Sequence, residues 1–218
     1  MITLHGFAYS NYYNIPKHVL LHKGVPFTED LVYASAEGYE RLNPARKVPS
    51  MTTSDGQYLA EASVLCEYIE DMFPEPALLP ADPYARSHVR RIMRCAELYL
   101  ELPCRRLLPF VFTRETPPES LCEEVNAMVD RGVASLAGLC SIDPFLTGSD
   151  FSMADIYVRY VLSVVDAGSA VLQRDVVSEV DGLKAWRARL AEDTVSKQVD
   201  ADTEANKDDF FAYIASRS

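Results

Sequence analysis

The pattern of hydrophobic and polar positions changes about a third of the way along the chain. Up to residue 73, short apolar runs that predict strands alternate with longer stretches of helical period. The predicted strands are residues 2–5, 27–33, 51–53 and 57–60. The predicted helices are residues 15–23 and 61–73, with a short irregular helix at residues 35–42. Gly24 suits the C′ position of the first helix, and Pro16 suits its first turn.

From residue 84 onward the strand signals disappear, and one helical pattern follows another. The predicted helices are residues 84–112, 119–140, 152 onward, 182–191 and 203–218. Pro103 and Pro109 are expected to kink or break the first of these, because proline removes a helical hydrogen bond. The proline-rich segment between the two patterns predicts a linker. We therefore predict an α/β domain of thioredoxin-like plan at residues 1–76, a linker at 77–85 and an all-helical domain at 86–218.

A helix-capping signal stands in the second half of the chain, in the sequence Ser152-Met153-Ala154-Asp155. A Ser and an Asp at this spacing predict a capping box, with Ser152 as N-cap and Asp155 at the third helical position. We assign this motif to folding and not to chemistry. The loss of such a cap typically costs about 0.5–2 kcal/mol.

The composition suits one large or two small folded domains, because 48% of the 218 residues are hydrophobic. No apolar run approaches the ~20 residues of a membrane helix, and the N-terminus does not resemble a signal peptide. A cytoplasmic protein is therefore expected. The net charge of −11 disfavours binding to nucleic acid or anionic membranes. Five cysteines without a CxxC predict buried free thiols, and no metal-ligand spacing is found.

The strongest candidate site lies in residues 47–74. Pro49 precedes a predicted strand, and its bond to Val48 can be cis, because an X–Pro bond loses most of its trans preference. A cis bond would leave the Val48 backbone free to pair with an extended peptide. The helix predicted at residues 61–73 presents unpaired N–H groups at its first turn, which favour a carboxylate. Together these features predict a site for a small peptide that carries a carboxylate.

These motifs resemble those of the glutathione S-transferase family. They are Asn43-Pro44-Ala45-Arg46-Lys47-Val48-Pro49, Glu61-Ala62 at a helix start, Tyr68-Ile69-Glu70 near its end, and the capping box after Leu146-Thr147-Gly148. The resemblance covers the whole chain and is to cytosolic, serine-type, bacterial-like members. It implies a thioredoxin-like N-terminal domain followed by an all-α domain, with glutathione as co-substrate and no metal.

The resemblance also implies how glutathione binds. The expected contacts are a backbone pair with the cysteinyl residue, an acid for the γ-glutamyl amine, amide donors for the γ-glutamyl carboxylate, and a cation for the glycine carboxylate. In that order they fall on Val48, on Glu61, on Ala62 and Ser63, and on Arg46 or Lys47.

Ala62 departs from the family pattern, because most members have Ser at this position. The serine hydroxyl adds a hydrogen bond to the γ-glutamyl carboxylate. Its loss is expected to weaken binding by ~1 kcal/mol, or by up to ~3 kcal/mol for a charged partner. The backbone donors of the helix start are retained.

Ser10 is the candidate that ionises the glutathione thiol. A free thiol has a pKa of about 8.5, so a hydroxyl donor at a helix N-terminus helps to form the thiolate. Counted back from Gly24, Ser10 aligns with the activating serine of serine-type members. The alternative donors are its neighbours Tyr9, Asn11, Tyr12 and Tyr13. No cysteine stands in this loop, which argues against a mechanism that uses a protein thiol.

The implied activity is conjugation of the glutathione thiolate to a small hydrophobic electrophile by a homodimeric enzyme. The candidate residues of the second-substrate pocket are Tyr12, Tyr99, Phe110 and Phe210. Two alternatives stay open from the residues alone. One is a glutathione-dependent disulfide or peroxide reductase, and the other is a non-catalytic interaction protein of the same fold.

Overall fold

The computed structural model describes residues 1–216, which divide into two units. The first unit is Met1–Ala77 joined by the chain from Ala191 onward, and the second unit is Leu78–Leu190. The domain boundaries at 1–76, 77–85 and 86–218 remain a prediction, and residues 217–218 lie outside the described part of the chain. Within residues 1–216, no helix is long and apolar enough to span a membrane.

A mixed sheet forms the centre of the first unit. Its four strands are β1 (Ile2–Gly6), β2 (Phe27–Leu31), β3 (Ser50–Thr52) and β4 (Tyr58–Ala60), in the spatial order β2-β1-β3-β4. β1 is parallel to β2 and antiparallel to β3, and β3 is antiparallel to β4. Gly56 has a φ of +86° in the turn between β3 and β4, a value that glycine adopts without strain.

Two helices, α1 (Asn11–His22) and α2 (Ala62–Met72), pack against each other and supply most of the core of this unit. Side chains alternate between the two faces of a strand, so apolar residues at every second position of β1 fall on one face. The fully buried apolar side chains of this unit are Leu4, Ile15, Val19, Leu20, Met51, Leu65, Cys66, Ile69 and, from its C-terminal part, Val199. Before β3 there is only a short 3₁₀ helix, Tyr39–Arg41, where the sequence predicts an irregular helix over residues 35–42.

α1 begins at Asn11, whereas the sequence predicts a start at residue 15. The run Asn11-Tyr12-Tyr13-Asn14 has no helical stripe of apolar residues, so the local pattern is typical of a loop. Its helical conformation depends on tertiary hydrogen bonds described below. Pro16 consequently lies inside the helix, and the prediction that it occupies the first turn is wrong.

The second unit is entirely helical apart from its loops. Its α-helices are α3 (Pro83–Ala96), α4 (Leu102–Arg105), α5 (Leu108–Thr113), α6 (Glu119–Leu139), α7 (Met153–Leu172) and α8 (Leu183–Ala191), whose last residue belongs to the first unit. A π-helical segment, Glu97–Glu101, joins α3 to α4, and a 3₁₀ helix, Val176–Glu179, precedes α8. α7 is buried on almost every side and contacts α3, α4 and α5.

The long helical stretch predicted at residues 84–112 is interrupted in two ways. The π-helical segment widens the helix just before Pro103, and the chain then breaks between Arg105 and Leu108. Pro109 takes the second position of α5, where its missing N–H removes no helical bond. The predicted disturbance at the two prolines is therefore present.

The capping box at Ser152 and Asp155 is confirmed. The Ser152 N–H donates to Oδ2 of Asp155 over 2.9 Å, and both halves of the box are present. Oδ1 of the same carboxylate accepts from the Leu146 N–H at 2.9 Å and from the Trp186 indole N–H at 2.7 Å. Burial raises the pKa of Asp155, while these hydrogen bonds act to lower it. The carboxylate thus links the start of α7 to the preceding loop and to α8.

Two further helices, α9 (Thr194–Ala205) and α10 (Lys207–Ala215), belong to the first unit. The sequence predicts one helix over residues 203–218, so both the start and the break at Asn206 differ from the prediction. Residues 217–218 of that predicted helix lie outside the described part of the chain. α9 packs against α1.

Candidate active site

Ser10 lies at the N-terminus of α1, directly after the loop from β1. Its N–H donates to the Phe7 carbonyl over 3.0 Å, which closes a turn. Ser10 has an extended conformation, with φ −84° and ψ 118°, and its hydroxyl makes no capping bond to α1. The side chain is partly exposed. A hydroxyl at the positive end of a helix dipole, without a capping bond, is suited to donate to an anion.

Two neighbours of Ser10 have side chains committed to the fold. The buried Tyr13 hydroxyl donates to Oε2 of Glu29 over 2.6 Å, and the pKa of Tyr13 is raised by burial and by that carboxylate. The amide nitrogen of Asn14 donates to the Ala8 carbonyl at 2.9 Å and to the Thr203 hydroxyl at 3.0 Å. Of the alternative donors, Tyr13 therefore faces Glu29, Asn11 is buried, and Tyr9 and Tyr12 are partly exposed.

Gly6 allows the loop that carries Ser10 to pass close to the ring of Tyr13 in α1. A Cβ at this position would lie 2.5 Å from Cδ2 of Tyr13, and the φ of Gly6 is +151°. Both the space and the backbone conformation therefore require glycine. The loop that carries Ser10 begins at this residue.

The Val48–Pro49 peptide bond is cis, as the sequence allowed. The preceding carbonyl, that of Lys47, accepts from the Tyr39 hydroxyl at 2.9 Å and from the Asn43 side chain at 2.8 Å. In the part of the chain that the structure describes, the Val48 backbone makes no turn or loop hydrogen bond. Its polar groups are available to an extended ligand.

Glu61 has a backbone conformation that is rare for a residue with a side chain, with φ 73° and ψ 119°. It immediately precedes α2 and is exposed. The first backbone bond of the helix runs from the Leu65 N–H to the Glu61 carbonyl over 2.9 Å. The N–H groups of Ala62 and Ser63 precede that bond and form the amide end of the helix, a site suited to an anion.

The two candidate cations, Arg46 and Lys47, differ in their surroundings. The Arg46 guanidinium donates to the carbonyls of Ala34 and Ala36, each at 3.2 Å, and pairs with Glu40 at 3.1 Å. These contacts stabilise the conformation of the loop after β2. The Lys47 side chain is exposed.

The four candidate residues of the second-substrate pocket are divided between the units. Phe210 of α10 is buried, and its ring lies 4.7 Å from the ring of Tyr9 and 5.5 Å from that of Phe7, measured between centroids. Tyr12 is in the first turn of α1 and belongs to the same unit. The remaining two, Tyr99 in the π-helical segment and Phe110 in α5, belong to the second unit and are partly exposed.

Sequence patterns did not reveal the side chains by which α9 and α10 hold the Ser10 loop. Thr203 and Asn206 both hydrogen-bond to the backbone of this loop. Together with Phe210 they recur at helical spacing, which is the only signal in the sequence that connects them. Nothing local identifies the loop that they contact. Within residues 1–216, no group of His, Cys, Asp and Glu side chains is arranged to hold a metal ion.

Comparison with solved structures confirms the predicted fold, a thioredoxin-like N-terminal unit with an all-α unit. Maleyl pyruvate isomerase, described as a bacterial glutathione S-transferase of the zeta class, superposes with a TM-score of 0.72 at 22% identity, over 90% of this chain and 95% of its own. A Methylobacterium radiotolerans glutathione S-transferase, in complex with glutathione sulfonate, superposes with a TM-score of 0.75 at 21% identity, over 91% of this chain and 93% of its own.

Comparison of sequences identifies the family. Residues 9–72 match the family model of the glutathione S-transferase N-terminal domain. Probable maleylacetoacetate isomerase 1 of Drosophila melanogaster is 29% identical over 70% of this chain and 64% of its own length. A glutathione S-transferase of Pseudomonas putida is 34% identical over 218 residues, which is 99% of both chains. The chain therefore belongs to the glutathione S-transferase family of enzymes.

Proposed function

We propose that this chain conjugates the thiolate of glutathione to a small hydrophobic electrophile. The observation that carries the proposal is the Ser10 hydroxyl, which stands at the N-terminus of α1 without a capping bond to that helix. The hydroxyl donates to the glutathione sulfur. A thiol of pKa about 8.5 is only roughly 3% ionised at pH 7, and each unit by which the pKa falls corresponds to about 1.36 kcal/mol of preference for the thiolate.

The peptide part of glutathione lies along residues 48–63 in this proposal. The open backbone of Val48 pairs with the cysteinyl residue, and the exposed carboxylate of Glu61 receives the γ-glutamyl amine. The N–H groups of Ala62 and Ser63 bind the γ-glutamyl carboxylate at the start of α2. Lys47 is favoured over Arg46 as the partner of the glycine carboxylate, because Arg46 already spans two carbonyls and Glu40.

In the reaction, the ionised sulfur forms a bond to an electrophilic carbon, and the leaving group departs with the bonding pair. The thiol proton has been released to solvent before this step. Ser10 holds the thiolate by donating to it and is not consumed. Phe210 and Tyr12 are the aromatic side chains of the first unit that we assign to the electrophile.

Glutathione-dependent isomerisation is a second candidate function. The relatives named maleylacetoacetate isomerase and maleyl pyruvate isomerase favour it. The first step has the same requirement, because a thiolate adds to a conjugated double bond. Rotation about the resulting single bond and expulsion of the thiolate then return glutathione unchanged. Ser10 and the tripeptide contacts serve both reactions.

One experiment separates the two activities. The purified chain is incubated with glutathione and either a halogenated arene or a maleyl-type cis-alkene, and both glutathione and products are followed by chromatography. Conjugation consumes one glutathione per product, whereas isomerisation leaves the glutathione concentration constant. A Ser10→Ala variant lowers either rate. If neither substrate class reacts while a mixed disulfide is reduced, the proposal of carbon-centred chemistry is wrong.

The cellular location and the oligomeric state of the enzyme form a separate proposal. We assign it as a cytoplasmic homodimer that binds neither nucleic acid nor membrane, because the chain is acidic and the family commonly dimerises. Light scattering of the purified chain at several concentrations tests the dimer. A mass of one 24.4 kDa chain throughout would contradict it.

A further inference from the structure

The peptide group between Ala8 and Tyr9 is held on both sides by side chains that are distant in sequence. Its carbonyl, that of Ala8, accepts from the Asn14 amide at 2.9 Å. The Thr203 hydroxyl lies 3.0 Å from the same carbonyl and shares its one proton with the Val199 carbonyl, which is 2.8 Å away. Its N–H, that of Tyr9, donates to Oδ1 of Asn206 over 3.0 Å. Ser10 is the next residue along the chain. The orientation of this peptide group therefore helps to set the position of the Ser10 Cα atom, from which the hydroxyl-bearing side chain extends.

Three of the side chains that contact this loop come from the α9–α10 segment. Thr203 lies in α9, Asn206 between the two helices and Phe210 in α10, and all three contact residues 7–9. Phe210 covers the rings of Phe7 and Tyr9 one turn beyond Asn206. The loop is thus fixed by two polar contacts and by one apolar contact from this segment.

α9 is itself anchored to α1. The ammonium group of Lys17, which is almost fully buried, lies 2.7 Å from a carboxylate oxygen of Asp202. Asp202 immediately precedes Thr203. This ion pair therefore fixes the position of α9 along the axis of α1. It thereby also fixes which residues of the loop Thr203 and Asn206 face.

We propose that Asn206 is a positioning residue, which aims the Ser10 hydroxyl at the glutathione sulfur by holding the Tyr9 N–H. This inference rests on the proposed function, in which Ser10 binds the thiolate. A displacement of about 1 Å is enough to lower a reaction rate substantially. Among the described residues, the hydrogen bonds of Asn206, which include those to Tyr9, Asp202 and Phe210, do not reach Val48 or the start of α2. The tripeptide contacts therefore do not depend on these bonds.

The test uses the full-length chain and three variants. Asn206→Leu has nearly the shape of the native side chain but lacks the acceptor, and Asn206→Asp keeps an acceptor oxygen. Glu204→Ala is the matched control, because Glu204 is on the same turn, is exposed, and pairs with the nearby Lys207 rather than with the loop. Amide hydrogen exchange of residues 7–11, affinity for glutathione, the pKa of the bound thiol by ultraviolet absorbance, and kcat are measured for each.

The inference predicts that Asn206→Leu speeds exchange in residues 7–11, raises the pKa of the bound thiol and lowers kcat at neutral pH about fivefold, with the Kd for glutathione changed less than about twofold. Asn206→Asp recovers most of the rate, and Glu204→Ala matches the native chain. Faster exchange with an unchanged thiol pKa and kcat would overturn the inference, as would unchanged exchange. If the native chain binds glutathione without ionising it, the proposed function fails too, and that failure is recognised in the native chain before any variant is compared.

Discussion

Nζ of Lys17 in α1 lies 2.7 Å from Oδ2 of Asp202 in α9. The same nitrogen is 2.7 Å from Oε2 of Glu29 in β2, and only 2% of the Lys17 side chain is exposed. The charge of Lys17 therefore lies between two carboxylates from separate parts of the first unit.

Replacement of Lys17 by Met is expected to lower the free energy of unfolding by about 1–2 kcal/mol. A buried ion pair that loses one partner usually costs more, but Glu29 and Asp202 are both more than a third exposed and can be solvated. Chemical denaturation of Lys17→Met checks this. Lys197→Met, at an exposed pair on α9, is the control and should change stability by less than about 0.5 kcal/mol. Equal effects of the two substitutions would contradict the buried role.

Replacement of Gly6 by Ala is expected to destabilise the chain by about 1–3 kcal/mol and to disturb the Ser10 loop. The new methyl group would lie 2.5 Å from the ring of Tyr13, on a backbone with φ +151°. Gly24→Ala is the matched control, since Gly24 also has a positive φ but a methyl group there would meet no atom of residues 1–216 within 4 Å apart from those of its chain neighbours. It should cost only about 1 kcal/mol. Thermal unfolding measures the loss of stability in each variant. A smaller loss for Gly6→Ala than for Gly24→Ala would exclude the predicted clash.

Asp155 is expected to be among the most costly caps to remove. Asp155→Ala leaves the N–H groups of Leu146, Ser152 and Trp186 without their acceptor in a buried region, and should cost about 3 kcal/mol. Asp82→Ala removes an exposed cap that serves one N–H, that of Ala85, and should cost about 1 kcal/mol. Urea titrations measure the free energy of unfolding of both variants. Equal losses of stability would show that Asp155 acts as an ordinary surface cap and would contradict the prediction.

Glu61 is expected to combine a binding role with backbone strain. With φ 73°, its conformation costs of order 1–3 kcal/mol for any residue that has a Cβ. Glu61→Gly should therefore be more stable than Glu61→Ala by about 1 kcal/mol, while both variants bind glutathione poorly. Thermal melting curves of the two variants test the predicted difference in stability. Titrations with glutathione test the predicted loss of binding. A glycine variant less stable than the alanine variant would show that Glu61 is unstrained.

The parts of this molecule that sequence patterns predict are those whose cause is local. The possibility of a cis bond at Pro49 and the capping box between Ser152 and Asp155 each depend on a few adjacent residues. The start of α1 and the break at Asn206 do not. The first turn of α1 owes its helical form to acceptors supplied by Glu29, Ala8 and Thr203, and no periodicity of residues 11–14 reports them. The side chains that hold the Ser10 loop are hidden from the sequence for the same reason.

The identity of 34% over the full length establishes the family. The proposed roles of individual side chains depend on the open Val48 backbone, the amide end of α2 and the Ser10 hydroxyl. The central question is therefore whether these three features act on one tripeptide.

Calorimetric titration of reduced glutathione at neutral pH tests that claim most directly, on the native chain beside Ser10→Ala and Glu61→Ala. The native chain should bind saturably. Glu61→Ala should lose at least about tenfold in affinity, because a charged hydrogen bond is worth about 1.5–3 kcal/mol, whereas Ser10→Ala should stay within about threefold. No binding by the native chain at millimolar glutathione, or equal affinity for all three proteins, would contradict the account.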